Sequence, residues 1–206
     1  TVKISDCSSR IGSTYPVREG KGLVFSMKYI LAIDQSTSGT KALLFDEDAQ
    51  LIGRSDLPHK QKISENGWVA HDPMEIWENT KGVARAVIEK TGINKDEVIG
   101  IGISNQRETA LVWDRDTGLP VYDAIVWQCA RGAKICEGLS DYAEMVREHT
   151  GLRLSPYFSA AKIAWVLQNA GDLSGRHLCC GTIDSWLVFK MTHGKEFRCD
   201  YSNASR

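Results

Sequence analysis

Residues 28–53, KYILAIDQSTSGTKALLFDEDAQLIG, set an apolar run, an acid and a cluster of small hydroxyl residues ahead of a second apolar run. That order leaves little room for anything but a tight β-hairpin. Residues 29–33 read as a buried strand, 36–40 as turn chemistry and 42–45 as the return strand. Small residues let a phosphate approach the main chain, so the turn can offer its N–H groups and the hydroxyls of Ser36, Thr37, Ser38 and Thr40 to an anion. Asp34, at the strand tip, is placed to hold a metal. Magnesium prefers hard oxygen ligands and keeps several waters, so one carboxylate beside a phosphate cradle suffices to anchor a nucleotide-bound ion. Taken alone, the segment also fits an ordinary hairpin with a polar loop.

Composition narrows the function classes. A chain of 206 residues with 42% hydrophobic content can bury one sizeable core, with room for a subdomain. Its 25 basic and 26 acidic residues are well mixed and give a net charge of −1, which offers no field for nucleic acid or an anionic membrane. No apolar run approaches the ~20 residues of a membrane helix. The cysteines, Cys7, Cys129, Cys136, Cys179, Cys180 and Cys199, form no zinc-like CxxC pairs and read as reduced, buried thiols of a cytosolic protein. Residues 1–26 lack both a sustained period and a signal-peptide core, and Met27 stands directly before the first strand. They read as a leader or a non-native extension, with Met27 as the natural start.

Beyond the hairpin, a third strand is expected over 51–60. Helix signals then follow: Asp72 as N-cap, Pro73 at the first helical position, Glu75 as capping-box acid, and Gly92 as the stop. Ile76, Trp77, Thr80, Val83, Ala84, Val87 and Ile88 form its apolar face. Residues 98–104, VIGIGIS, read as a buried strand whose glycines permit close packing, and 110–113 as a strand entering a turn. Later helices are expected over 130–139, 142–149, 159–169 and 182–191. Hairpin-linked strands ahead of a crossover helix indicate an α/β or α+β fold with a mixed sheet.

Asn105, Gln106, Arg107 and Glu108 concentrate two amides, a guanidinium and a carboxylate at a strand end, where a cleft in an open sheet lies. Arg supplies forked donors and Glu accepts from hydroxyls, so the four suit a small polyol. A surface salt bridge at a strand end is the alternative.

Several longer segments, 32-AIDQ-35, 67-GWVAHDPMEIW-77, 102-GISNQRET-109, 124-AIVWQC-129, 156-PYFS-159 and 200-DYSNASR-206, resemble the glycerol kinases of the FGGY carbohydrate kinase family. The resemblance covers residues 28–206. It implies an RNase H-like fold of the actin, heat-shock chaperone and sugar kinase superfamily, with two domains closing on ATP and substrate. Residues 27–206 would be an incomplete N-terminal domain. Arg107, Glu108, Trp127 and Tyr157 then resemble the glycerol contacts, Trp127 as an apolar wall and Tyr157 as a hydroxyl partner. Thr37, Ser38 and Gly39 resemble the phosphate loop, Asp34 the residue near Mg2+, and Lys41 a position that the family usually gives to arginine. The family pattern Gly-Thr-Thr-Ser-Ser-Arg departs here to 36-STSGTK-41; lysine meets phosphate as a point charge without the bidentate fork.

The resemblance implies ATP-dependent phosphorylation of glycerol to glycerol 3-phosphate in the cytoplasm by a homo-oligomeric parent, with no nucleic acid or membrane partner. The catalytic aspartate and the adenine contacts would lie beyond Arg206, so this chain alone would be inactive. Asp184 is expected to cap a helix rather than act as base, and Asp200 and Asn203 to order the terminal loop. Two alternatives remain: an FGGY kinase for another small polyol or ketose, and a non-catalytic half-protein that binds polyol or a partner. Actin-like ATPases give no reason for residues 105–108.

Overall fold

The computed structural model describes residues 27–206, and the expectations for residues 1–26 fall outside them. In chain order the strands are β1 (Tyr29–Gln35), β2 (Gly39–Phe45), β3 (Leu51–Pro58), β4 (Lys62–Ile63) and β5 (Val69–His71), after which comes helix α1 (Pro73–Thr91). Next are β6 (Val98–Asn105), β7 (Ala110–Asp114) and β8 (Ala124–Ile125), then the helices α2 (Ala133–Gly138), α3 (Ala143–Thr150) and α4 (Ser159–Asn169). Strand β9 (Leu178–Thr182) runs directly into α5 (Ile183–Met191), and α6 (Tyr201–Ala204) ends the described chain.

Two sheets share the core. The first has the order β3-β2-β1-β6, antiparallel except for the parallel pair β1–β6. Alternation decides which face is covered: Leu31 and Ile33 of β1 and Ala42 and Leu44 of β2 meet Val83 and Val87 of α1. Gly53 of β3 permits the helix to lie close, since a Cβ there would sit 2.4 Å from the Thr91 methyl. The second sheet, in the order β4-β5-β8-β7-β9, is wholly antiparallel. Every residue of β7 is buried, Leu111 and Trp113 against α5 and Val112 against a cluster that includes Val166 of α4. An unbroken apolar strand such as this one needs cover on both faces, and α4 and α5 supply it.

Helix α1 follows its sequence signals closely. The Asp72 carboxylate accepts from the Met74 and Glu75 N–H groups, Pro73 opens the helix, and Gly92 closes it at φ 70°. The capping box is only half formed, because Glu75 turns instead toward the Lys60 N–H. Three other expectations are corrected. Residues 98–104 form an edge strand, with Ile99 and Ile101 63% and 53% exposed, since among the described residues no strand pairs with the outer side of β6. The short strands β4, β5, β8 and β9 carry too few residues for a periodic signal. Among the described cysteines, all free, Cys129, Cys136 and Cys179 are buried but Cys180 and Cys199 are exposed, Cys180 because neighbours on β9 point to opposite faces and Cys199 on the irregular segment before α6.

Replacing the cap by Asp72→Ala should lower unfolding free energy by about 1 kcal/mol, measured by denaturant titration. An unchanged midpoint would mean that the helix start is held by packing alone.

Candidate active site

Parallel pairing brings the carboxyl ends of β1 and β6 together. Gln35 lies opposite Asn105, and the Gln106 N–H donates to the Gln35 carbonyl at 2.8 Å. The turn after β1 and the turn after β6 therefore open on one edge, where open α/β sheets receive ligands. Between them lies a cleft of about 290 Å³, walled by Asp34, Thr37, Arg107, Glu108, Trp127 and Tyr157 together with Gln35, Ser36, Asn105 and Gln106.

The hairpin turn is held from behind by its carbonyls. The Ser36 N–H and hydroxyl both donate to the Gly39 carbonyl, at 2.9 and 3.0 Å. Gln106 Nε2 reaches the Ser36 carbonyl at 3.2 Å, His59 Nε2 lies 3.0 Å from the Thr37 carbonyl, and the His59 N–H donates to the Ser38 carbonyl. Among the described residues, no protein acceptor takes the N–H groups of Thr37 and Ser38. Carbonyls fixed inward and free N–H groups are what an anion cradle requires. Gly39 serves a different need, as a Cβ there would meet the Leu57 carbonyl at 2.7 Å. Ser38, Gly39 and Lys41 stand outside the cleft wall.

Trp127 does more than form an apolar wall. Its indole Nε1–H donates to the Thr37 hydroxyl at 3.0 Å, so the side of the cleft that carries the aromatic residues is tied to the phosphate turn. Tyr157, 41% exposed, stands with its ring 5.9 Å from that of Trp127 at 66°. Arg107 is exposed and spends a single long contact, 3.4 Å, on the Ser202 hydroxyl, which leaves most of its five donors to the cleft. Glu108 is buried and sits at φ 64°, in the left-handed region that costs a non-glycine residue on the order of 1–2 kcal/mol. Its Oε1 is 3.3 Å from Arg206 Nε but makes no hydrogen bond. A strained backbone and an unsatisfied buried carboxylate oxygen coincide at the cleft wall, which is characteristic of a ligand contact.

Asn105 and Gln106 are turned to structural work. Asn105 Nδ2 donates to Asp184 Oδ1 at 3.3 Å, and Gln106 bridges Gln35, Ser36 and Thr109. Asp184 is thus not a helix cap: its Oδ1 accepts from Asn105 and from the Thr182 hydroxyl. Asp200 does cap α6, taking the Ser202 and Asn203 N–H groups and the Asn203 amide, which holds its carboxyl below the usual range.

Comparison with known proteins decides the family. Residues 29–206 match the model of the N-terminal domain of the FGGY family of carbohydrate kinases. The chain belongs to the FGGY carbohydrate kinases. It is 49% identical over 190 residues to a glycerol kinase of Fusobacterium nucleatum, covering 87% of this chain and 38% of that protein. A glycerol kinase of Clostridium beijerinckii is 50% identical over 186 residues, with 87% and 37% covered. A crystal structure of Plasmodium falciparum glycerol kinase with ADP superimposes with a TM-score of 0.78 at 38% identity, over 87% of this chain and 37% of that one. A gluconate kinase from Lactobacillus acidophilus, 18% identical, shares the fold with a TM-score of 0.76. The architecture is thus the actin, heat-shock chaperone and sugar kinase fold, and this FGGY chain spans little more than a third of the length of these relatives.

The donor set also bears on metal. Asp34 Oδ2 accepts from Lys41 Nζ at 2.8 Å across the β1–β2 pair, with both side chains partly exposed. Among the described residues, no group of three His, Cys, Asp or Glu side chains forms a metal cage. A single carboxylate at a cleft fits an ion held chiefly by nucleotide and water rather than by protein.

Sequence reasoning missed the two histidines under the turn. The His59 and His71 rings meet edge to face with centroids 4.5 Å apart, one bonded to the Thr37 carbonyl and the other to the Lys60 carbonyl. Burial lowers the pKa of both, and for His59 the neighbouring His71 adds to the effect. No local pattern marks His59, which meets its partner only through the fold. With folded pKa values below the ordinary 6.5, the unfolded chain takes up protons first. Stability should therefore fall as pH drops through 6.5 and level off once both folded-state values are passed. Denaturant titrations between pH 5 and 8 check this, and a flat profile would be incompatible with two neutral buried rings.

Proposed function

We propose that the full-length protein transfers the γ-phosphoryl group of ATP to glycerol, giving glycerol 3-phosphate and ADP, and that this chain supplies the polyol site and the phosphate turn. The observation that carries the reading is the convergence of Arg107, Glu108, Trp127 and Tyr157 on one small cleft that also contains the turn at Thr37. Nearly half-identical glycerol kinases support the choice of substrate, and an ADP-bound relative supports the nucleotide.

In this reading Arg107 donates to two polyol oxygens while Glu108 Oε1, unsatisfied within the protein, accepts from a hydroxyl. Trp127 and Tyr157 enclose the carbon skeleton. The free N–H groups of Thr37 and Ser38, with the Thr37 and Ser38 hydroxyls, face the phosphates, and Lys41 adds a point charge. Asp34 would anchor the Mg2+ that accompanies ATP, which supplies charge neutralisation on the transferring phosphoryl group. Phosphoryl transfer depends on positioning and on charge stabilisation from both lobes, so the base that takes the hydroxyl proton is assigned to the part of the kinase outside residues 29–206.

Three measurements test the reading. The purified 206-residue chain should release no glycerol-dependent ADP; a signal that vanishes without glycerol would show that the chain already holds its own base. In the full-length kinase, a panel of polyols and ketoses should give the highest kcat/KM with glycerol. Arg107→Ala should raise KM for glycerol by about 10–100-fold, the loss of a charged hydrogen bond of 1.5–3 kcal/mol, while its exposed position leaves stability within about 0.5 kcal/mol. Equal use of a ketose, or an unaltered KM, would overturn the substrate assignment.

A further inference from the structure

Lys162 is the most deeply buried cation among the described residues, with no exposed surface. It lies on the first turns of α4, and among the described residues its ammonium group forms no ion pair. Instead Nζ donates to the carbonyls of three consecutive residues, Pro156 at 2.8 Å, Phe158 at 3.3 Å, and Tyr157 between them. Three converging carbonyls match the three donors of an ammonium group. They also use Lys162 to close a defect: α4 has Phe158 at its N-cap position with no side-chain cap, so the loop entering it depends on another anchor.

The consequence for the site is directional. With its carbonyl and both neighbouring carbonyls drawn inward to Nζ, Tyr157 stands out from the loop with its ring edge to face with both Trp127 and Phe158, at 5.9 and 5.2 Å. The ammonium lies 5.9 Å from the Tyr157 ring centroid. It is also close enough to Glu108 for the two charges to interact. The Ser159 hydroxyl completes the junction by donating to the Glu108 carbonyl at 3.3 Å. One buried cation therefore backs two residues of the cleft from different elements.

We propose that Lys162 is a positioning residue of the polyol site, aiming Tyr157 into the cleft by gathering the carbonyls of residues 156–158 and lying behind the Glu108 carboxylate. It touches no substrate. The inference rests on the polyol reading of the cleft for its functional consequence, but its structural half stands apart from it. Burial brings the Lys162 pKa down to about 8, against the upward pull of Cys129, Glu108 and Cys136. Replacing Lys162 by an apolar residue of the same length would leave the carbonyls of residues 156–158 without their donor, a cost that falls on the loop before Ser159.

The test separates the two halves. In this chain, Lys162→Met should lower the thermal midpoint without unfolding the chain, while backbone amides of residues 155–159 exchange at least tenfold faster and by more than amides elsewhere in the chain. Lys162→Arg, which retains charge and donors, should restore the slow exchange. Glycerol titrations followed on the Trp127 indole resonance, assigned with Trp127→Phe, should give a dissociation constant about tenfold weaker for the Met variant than for the parent. Unchanged exchange at residues 155–159 in a folded Met variant overturns the proposal whatever glycerol does. Faster exchange with an unweakened glycerol constant overturns the positioning role. Faster exchange in a chain whose parent form gives no glycerol response supports the hold on Tyr157 and counts against the polyol reading itself. If the Met variant does not fold, the Arg variant decides: native exchange supports the assignment, and fast exchange in a folded Arg variant overturns it.

Discussion

Everything at the cleft depends on the parallel register of β1 and β6. Because Gln35 and Asn105 lie side by side, two turns that are 70 residues apart in the chain, as the Gln106–Ser36 bond records, share one edge. An antiparallel pairing would have sent them to opposite ends of the sheet. The crossover through α1 makes the parallel arrangement possible, and α1 in turn is held by the alternating apolar residues of β1 and β2. The placement of the turn after β1 beside Arg107 and Glu108 is thus a consequence of a single strand pairing, reinforced by Gln106 and by the Trp127–Thr37 hydrogen bond.

Around that edge the chain places buried polar groups with fixed partners. Arg131 lies against the rings of Trp165, Trp68 and Tyr122 at 4.9, 5.1 and 5.9 Å and donates to Cys129 Sγ, holding the segment that follows Trp127. Lys162 gathers the loop of Tyr157, and His59 takes the carbonyl of Thr37. Lys162 and His59 each act on a residue of the cleft without lining it, and Arg131 acts on the segment beside Trp127. Buried polar contacts of this kind restrict the geometry of the cleft, which is what a preorganised site needs.

Much of this was legible in the chain. The hairpin follows from small residues between two apolar runs, and α1 from Asp72, Pro73 and Gly92, because each depends on neighbours only a few positions away. The chemistry of Arg107 and Glu108 could be read from residue type, and the motif resemblance added Trp127 and Tyr157. Residues 98–104 misled, since an apolar run signals burial equally well for a central strand and for the edge strand that β6 is. Asn105 and Gln106 also line the cleft but spend their amides on Asp184, Gln35, Ser36 and Thr109, and Asp184 answers Asn105 rather than its own helix.

By itself, then, the sequence determined the local elements and the inventory of chemical groups, because capping, turn chemistry and apolar periodicity act over one or two turns of chain. Tertiary structure decided which of those groups look into the cleft and which are spent on one another. It also decided the left-handed backbone at Glu108, the contact of His59 with His71, and the burial of Lys162 beneath three carbonyls. These depend on strand register and on packing between distant segments, where a shift of one residue would exchange the cleft face for the core face.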